Sequence, residues 1–210
     1  MKAGRKRAFD KGAALDKAMR VFWNNGYSGT SISQLSTVLG INPPSLYSAF
    51  GNKDQLFKDS ILHYCDIYTA QCYQHLTEPS DRSAIEKLTA YFEALIELFT
   101  NDLTPKGCLM VKSANESGGE VFPKALSLFL ADLGKNIKKI MMDFLRSDLR
   151  LNKDKNEESI DDIAEYILTV SFGLAVQARR GQPKEKLIDI VQMFISTIAR
   201  SLSRNKTCIS

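Results

Sequence analysis

The stretch "TSISQLSTVLGINPPSLYSAF", residues 30–50, decides how this chain is read. Ile32, Leu35 and Leu39 recur at spacings of three and four, which places them on one face of a short helix. Thr30 or Ser31 is positioned to cap that helix, and Gly40 to close it. The adjacent Pro43 and Pro44 then raise a problem, because proline inside a helix costs ~3 kcal/mol through a lost hydrogen bond and a clash with the preceding turn. At a helix start the same residues are harmless. Each proline disfavours α geometry in the residue before it, so Pro44 is expected to exclude Pro43, and Pro43 to exclude Asn42. Pro44 is then the expected first helical residue, where a missing N–H has no partner to lose. The helix runs to about Phe50, with Leu46 and Phe50 inward, Ser45 and Ser48 on another face, and Tyr47 flanking.

Upstream, a helix is expected after Asp10, with Leu15, Ala18, Met19 and Phe22 on one face and Gly26 as its stop. Three short helices whose last two are joined by a tight glycine turn make a helix-turn-helix unit, although spacing alone also fits a corner of an all-α core. Charge favours the first reading. Residues 1–64 carry nine Lys/Arg against four Asp and no Glu, a net +5, whereas the remainder sums to −1 within a chain of net +4. A basic module beside a neutral body points to a polyanionic partner, nucleic acid above all. The third helix would enter the major groove by its N-terminus, where Pro44 and Ser45 allow close approach and the helix end favours phosphate.

The remaining residues, within a chain 210 long and 44% hydrophobic, are also helical in pattern. Gly and Pro gather at a few junctions, and no segment alternates as a strand does. The expected class is all-α with about nine helices, one of them long and running over about 53–76. No apolar run approaches the roughly 20 residues needed to span a bilayer, and the N-terminus lacks the apolar stretch of a signal peptide, so a cytoplasmic protein is expected. The four cysteines, Cys65, Cys72, Cys108 and Cys208, form no CxxC pair, and reduced thiols are expected.

The run "FWNNGYSGTSISQLSTVLGINPPSLYSAFGNKDQLF" (22–57) resembles the DNA-binding head of the tetracycline-repressor (TetR/AcrR) family of bacterial regulators. The likeness lies in the "F..GY..TS...L" entry, Gly40-Ile41 at the turn and "SLY..F.NK..LF". It implies a head over residues 1–56 and an effector-binding and dimerisation body over 57–210. It places Ser31, Thr30 or Ser33 on phosphate at the start of the second helix. Recognition-helix contacts fall on Pro43, Pro44, Ser45, Tyr47 and Ser48, with Tyr47 and Lys53 also holding phosphate. The basic Arg5, Lys6 and Arg7 would reach the minor groove. In one respect this chain departs from good base readout: its recognition helix presents no outward Arg, Lys, Gln or Asn. Selectivity would then rest on van der Waals contacts, the arm and DNA shape.

The resemblance also implies a homodimer on a palindromic operator and release by a small-molecule effector, hence a repressor. Ile188, Val191, Ile195, Ile198 and Leu202 repeat as a heptad seam, and Ile163, Ile167 and Leu174 do so upstream. By the resemblance these two segments form a four-helix dimer interface. The family's effector pocket would draw on Tyr64, Tyr68, Phe92, Leu95, Phe99, Cys108, Leu109, Phe122, Leu126 and Phe129.

Other readings are open. A thiol at a helix start with Lys106 nearby would be acidified, making Cys108 an electrophile sensor in the same fold, or else Cys108 is buried and inert. A constitutively bound or architectural DNA protein is a further alternative. Zinc is disfavoured, since His63, Cys65, Cys72 and His75 spread over three turns of one helix and cannot close a tetrahedron. No metal or cofactor is expected. With two histidines and no nucleophile–base pair or phosphate loop, neither is enzymatic activity.

Overall fold

The computed structural model describes residues 10–147 and 157–203, and all regular structure there is helical. The order is α1 (Lys11–Asn25), α2 (Ile32–Leu39), α3 (Pro43–Phe50), α4 (Lys53–Tyr64), a π-helical turn (Cys65–Thr69), α5 (Ala70–Thr77), α6 (Ala84–Thr100), α7 (Leu109–Glu116), α8 (Lys124–Ser147), α9 (Glu157–Arg179) and α10 (Lys184–Ser203). The α4–π–α5 run is one continuous helix, so the long helix expected over about 53–76 is present. Its π turn was not legible, because one extra backbone residue per turn leaves no sequence mark.

Short-range capping writes the N-terminal boundaries. Asp10 caps α1 by accepting from the Ala13 N–H (3.1 Å), Ser31 caps α2 through Gln34 (3.1 Å), and Asn52 caps α4 through Gln55 (2.8 Å). Each satisfies one of the otherwise unpaired N–H groups of a first turn. Ser83 and Glu86 form a reciprocal capping box at α6.

Met19, Phe22, Trp23, Leu35, Leu46, Phe50, Leu56, Phe57 and Ile61 bring the first four helices together, α1 lying along α4. Phe22 meets Phe57 edge-on at 5.1 Å. This core does not stop at the end of the head. Phe122, from the segment before α8, packs on Tyr27 (5.2 Å) and Phe57 (6.2 Å), and Trp23 packs on Tyr64 (4.7 Å) and Tyr68 (5.3 Å). In the body α6 is central, lying against α5, α9 and α10. No described helix is long and apolar enough to cross a membrane.

Candidate nucleic-acid interface

The turn between α2 and α3 is built from two local devices. Gly40 takes the left-handed conformation (φ 67°, ψ 29°), and its N–H with that of Ile41 closes the end of α2 onto the Ser36 and Thr37 carbonyls. Asn42 is extended and caps α3 by accepting from the Ser45 N–H at 2.9 Å. The helix then starts at Pro43, one residue before the expected Pro44. Both prolines fit because the N1 and N2 amides have no intrahelical acceptor, and the extended residue that precedes them is Asn42.

Leu46 and Phe50 anchor α3 in the core, which leaves Pro43, Pro44, Ser45, Tyr47 and Ser48 together on the exposed side. Tyr47 is 48% exposed. Ser31 and Ser33 are exposed at the start of α2. This surface is shallow, made of small side chains around two helix N-termini, one aromatic hydroxyl standing out from it. Such a face can seat a phosphate backbone against N–H groups and hydroxyls while letting the helix approach closely.

Thr30 does not belong to it. Its side chain is buried, and its hydroxyl donates to the Gly26 carbonyl at 2.6 Å, tying off the end of α1 instead of facing a ligand. Lys53 is half-buried with its ammonium 4.1 Å from the centroid of the Tyr27 ring, while the Tyr27 hydroxyl donates to Asp54. Burial pushes the Lys53 amine below the ordinary lysine value, with Asp54 and Glu116 pulling the other way. Arg5, Lys6 and Arg7 lie outside the described residues. A groove of about 510 Å³ between α1 and α2, lined by Lys17, Arg20, Asn24, Asn25 and Gln34 among others, was not foreseen. Its polar residues are scattered over two helices and share no motif.

The seam residues of the last two helices face inward. Ile167, Leu174, Val191 and Ile198 are buried within the single chain, and Ile163, Ile188 and Ile195 are half-buried. Leu202 continues α10, its side chain outside the described set. The buried members of the heptad pack on the chain's own core, mainly α6, while Ile163, Ile188 and Ile195 keep part of their surface open. The exposed apolar side chains of α9 and α10 are Tyr166, Phe172, Val176 and, at 73% exposure, Met193.

The expected effector residues are packed too. Tyr64, Phe92, Leu95, Phe99, Leu109, Phe122 and Leu126 are buried, Tyr68 stacks on Tyr64 at 5.6 Å, and Phe129 lies under the Lys58 ammonium. Cys108 lines a cavity of about 260 Å³ between α7 and α9. Its thiol is not acidified. Burial pushes it up, against a hydrogen bond from the Tyr64 hydroxyl (3.3 Å), and Lys106 is committed to the Thr100 carbonyl (2.6 Å) and to Asp102 (2.5 Å). The described residues contain no group of three His, Cys, Asp or Glu placed to hold a metal.

Arg20 in α1 donates to the Leu103 carbonyl and the Tyr68 hydroxyl (2.9 Å each), and two further long-range clasps reach the end of α1 and the turn after it. Arg179, at the end of α9, donates to the Asn24 carbonyl (2.7 Å), the Trp23 carbonyl (3.1 Å) and the Lys106 carbonyl (3.3 Å). Glu116, at the end of α7, accepts from the Ser28 N–H (3.0 Å). Neither pairing has a signature in sequence, since the partners are 73 to 156 positions apart.

With this geometry in hand, comparison with known proteins is informative. A model of the family described as bacterial regulatory proteins, tetR family, matches residues 14–59, the span from α1 into α4. The chain is 30% identical over 194 residues to the HTH-type transcriptional repressor ComR of Escherichia coli K12, covering 89% of this chain and 88% of that one. It is 24% identical to the HTH-type transcriptional repressor BdcR of the same organism, over 88% of this chain and 86% of that one. Among solved structures, a cysteine mutant of the TetR family regulator CifR, complexed with 26-bp double-strand operator DNA, superposes with a TM-score of 0.82 at 32% identity, covering 91% of this chain and 98% of that one.

Proposed function

The chain belongs to the tetR family of bacterial transcriptional regulators and is a DNA-binding regulator, and from that premise we propose that it is a repressor acting as a homodimer on a palindromic operator and released by a small-molecule effector. Residues 1–56 form the DNA head and residues 57–210 the effector and dimerisation body. The observation that carries this reading is α3: a helix started by capped prolines, anchored by Leu46 and Phe50, with Pro43, Pro44, Ser45, Tyr47 and Ser48 turned outward. Ser31 and Tyr47 hold backbone phosphate, the main-chain N–H of Lys53 adds to them at the start of α4, and Ser45 lies nearest the bases.

A dimer carries two such helices, and operators of this kind present half-sites ~34–36 Å apart. The second copy docks against α9 and α10, where Tyr166, Phe172 and Met193 are exposed apolar side chains. Ligand release requires an effector that prefers the DNA-free arrangement of the two heads; shifting a population from mostly bound to mostly free takes ~5 kcal/mol of differential affinity.

A gel shift with DNA from upstream of the protein's own gene tests the core of this reading. A retarded band is expected at low salt, and folded protein that gives none refutes it. Tyr47→Ala is expected to weaken binding to all sequences alike while leaving the salt slope unchanged, because the lost phosphate contact is uncharged. Ser45 variants are expected to change which sequence is preferred.

A further inference from the structure

The cavity of about 260 Å³ between α7 and α9 is lined by Cys108, Val111, Lys112, Asn115, Glu116, Ala175, Val176, Arg179 and Arg180. One wall is apolar, from Val111, Ala175 and Val176. The other carries three cations and one carboxylate, and the carboxylate is occupied: Glu116 accepts from the Ser28 N–H of the head. Arg179 is likewise occupied by the carbonyls of Trp23, Asn24 and Lys106. Lys112 and Arg180 have no ion-pair or hydrogen-bond partner for their side chains among the described residues. Lys112 is partly buried beside Arg179, and burial, then that like charge, push its amine below the ordinary lysine value, with the Glu116 carboxylate pulling the other way. A cation held next to another cation, against an apolar wall, is a site short of negative charge.

We propose that this cavity is the seat of a small organic carboxylate, its apolar body on Val111, Ala175 and Val176 and its charge on Lys112 and Arg180, and that filling it loosens the head from the body. The assignment rests on the reading of the chain as an effector-released regulator and names the chemical class of the effector. Inorganic phosphate would satisfy the cations but leave the apolar wall unmet, and a neutral aromatic would do the reverse. The coupling follows from which residues are shared. A carboxylate here attracts Arg179 away from the α1 carbonyls and repels Glu116 from the Ser28 N–H, so both clasps between head and body weaken together. These bonds join the end of α1 and the turn after it to the ends of α7 and α9, so with Arg20 still donating to the Leu103 carbonyl and Tyr68 hydroxyl, it is the C-terminal end of α1 that gains freedom to shift. Linkage then requires operator DNA to weaken carboxylate binding by the same factor by which the carboxylate weakens operator binding.

The test uses the full chain and sodium benzoate as the probe, with benzamide as its uncharged analogue and inorganic phosphate as the bare anion. Isothermal titration calorimetry is expected to give one benzoate per chain, with benzamide and phosphate each about tenfold weaker. Lys112→Gln and Arg180→Gln are each expected to weaken benzoate about fivefold, the scale of one partly exposed charge pair. Two variants on different helices guard against a folding defect in either. Equal affinity for benzoate and benzamide, or no change in both variants, overturns the seat. In the gel shift, saturating benzoate is expected to weaken the operator complex about tenfold in wild type, and Lys112→Gln to need about fivefold more benzoate for the same release. Benzoate that binds as described yet leaves the band unmoved overturns the coupling. No band without benzoate overturns the DNA-binding reading instead, while the calorimetry still decides the seat.

Discussion

Replacing Gly26 by alanine tests how the head is clasped to the body. Gly26 closes α1 at φ 77°, ψ 177°, a region essentially reserved for glycine, and its N–H donates to the Phe22 carbonyl at 2.7 Å. An L-residue held there is strained by about 1–3 kcal/mol. A Cβ at this position would also lie 1.6 Å from Oε1 of Glu116, so that side chain must swing away and give up the Ser28 N–H. A charge-assisted bond of this kind contributes ~1.5–3 kcal/mol, and partial exposure brings it nearer to about 1. The two effects together predict a loss of about 3 kcal/mol, or roughly 6–12 °C in melting temperature for a chain of this length. In a Glu116→Ala background the second effect is already gone, so Gly26→Ala should then cost only the strain, about 2 kcal/mol. Urea denaturation of wild type, both single variants and the double variant at one protein concentration gives the cycle directly. The expected coupling is about 1 kcal/mol. Additivity within ~0.3 kcal/mol would show that Glu116 is not held by this turn, and the reasoning fails.

The other predictions concern the second clasp, the outer face and the thiols. Arg179→Lys keeps the charge but cannot span the Trp23 and Asn24 carbonyls together, so it should lose about 1–2 kcal/mol in the same urea assay; wild-type stability in this variant would show the guanidinium fork to be idle. Met193→Asp, on the exposed side of α10, should give folded monomer by sedimentation velocity, whereas Val191→Asp, two residues earlier and buried, should unfold the chain. A dimer that survives Met193→Asp removes the outer face as the interface. Burial raises the thiols of Cys65 to about 11, Cys72 to about 12, and Cys108 as well. Groups raised on folding contribute stability that is whole below their unfolded values near pH 9 and lost as the pH climbs through the folded ones. The urea midpoint should therefore fall between pH 8 and pH 11, and iodoacetamide at pH 8 should label Cys108 only after unfolding; rapid labelling of folded protein would contradict its burial.

What could be read from residue order alone is what local chemistry decides. Asp10, Ser31 and Asn52 cap helices three residues away, Gly26 and Gly40 end them, and Leu35, Leu46 and Phe50 point inward because of a period that a helix imposes on any chain. The outward group Pro43, Pro44, Ser45, Tyr47 and Ser48 followed from the same period, and even the one-residue error at Pro43 arose from a local rule that the Asn42 cap relaxes. Periodicity states that a helix has an apolar face but not what covers it. The seam through Val191 and Ile198 has the spacing of a partner surface, yet both side chains are buried in the single chain, and the exposed apolar side chains of these helices include Met193. Thr30 has the residue type of a phosphate contact and the position of a cap, and only the approach of the Gly26 carbonyl turns its hydroxyl inward. Aromatic residues such as Tyr64 and Phe92 suit a pocket or a core equally; packing buries both side chains, while one open volume lies beside Lys112 and Arg180. The clasps of Arg179 and Glu116 lie furthest from anything the residue order contains, because each joins segments whose meeting is decided by how whole helices pack. Sequence determined the helices, their ends and the outward side of α3, all set within a few residues; tertiary structure alone decided which faces stay open and how the N-terminal helices join the rest, since both depend on contacts between parts of the chain far apart in order.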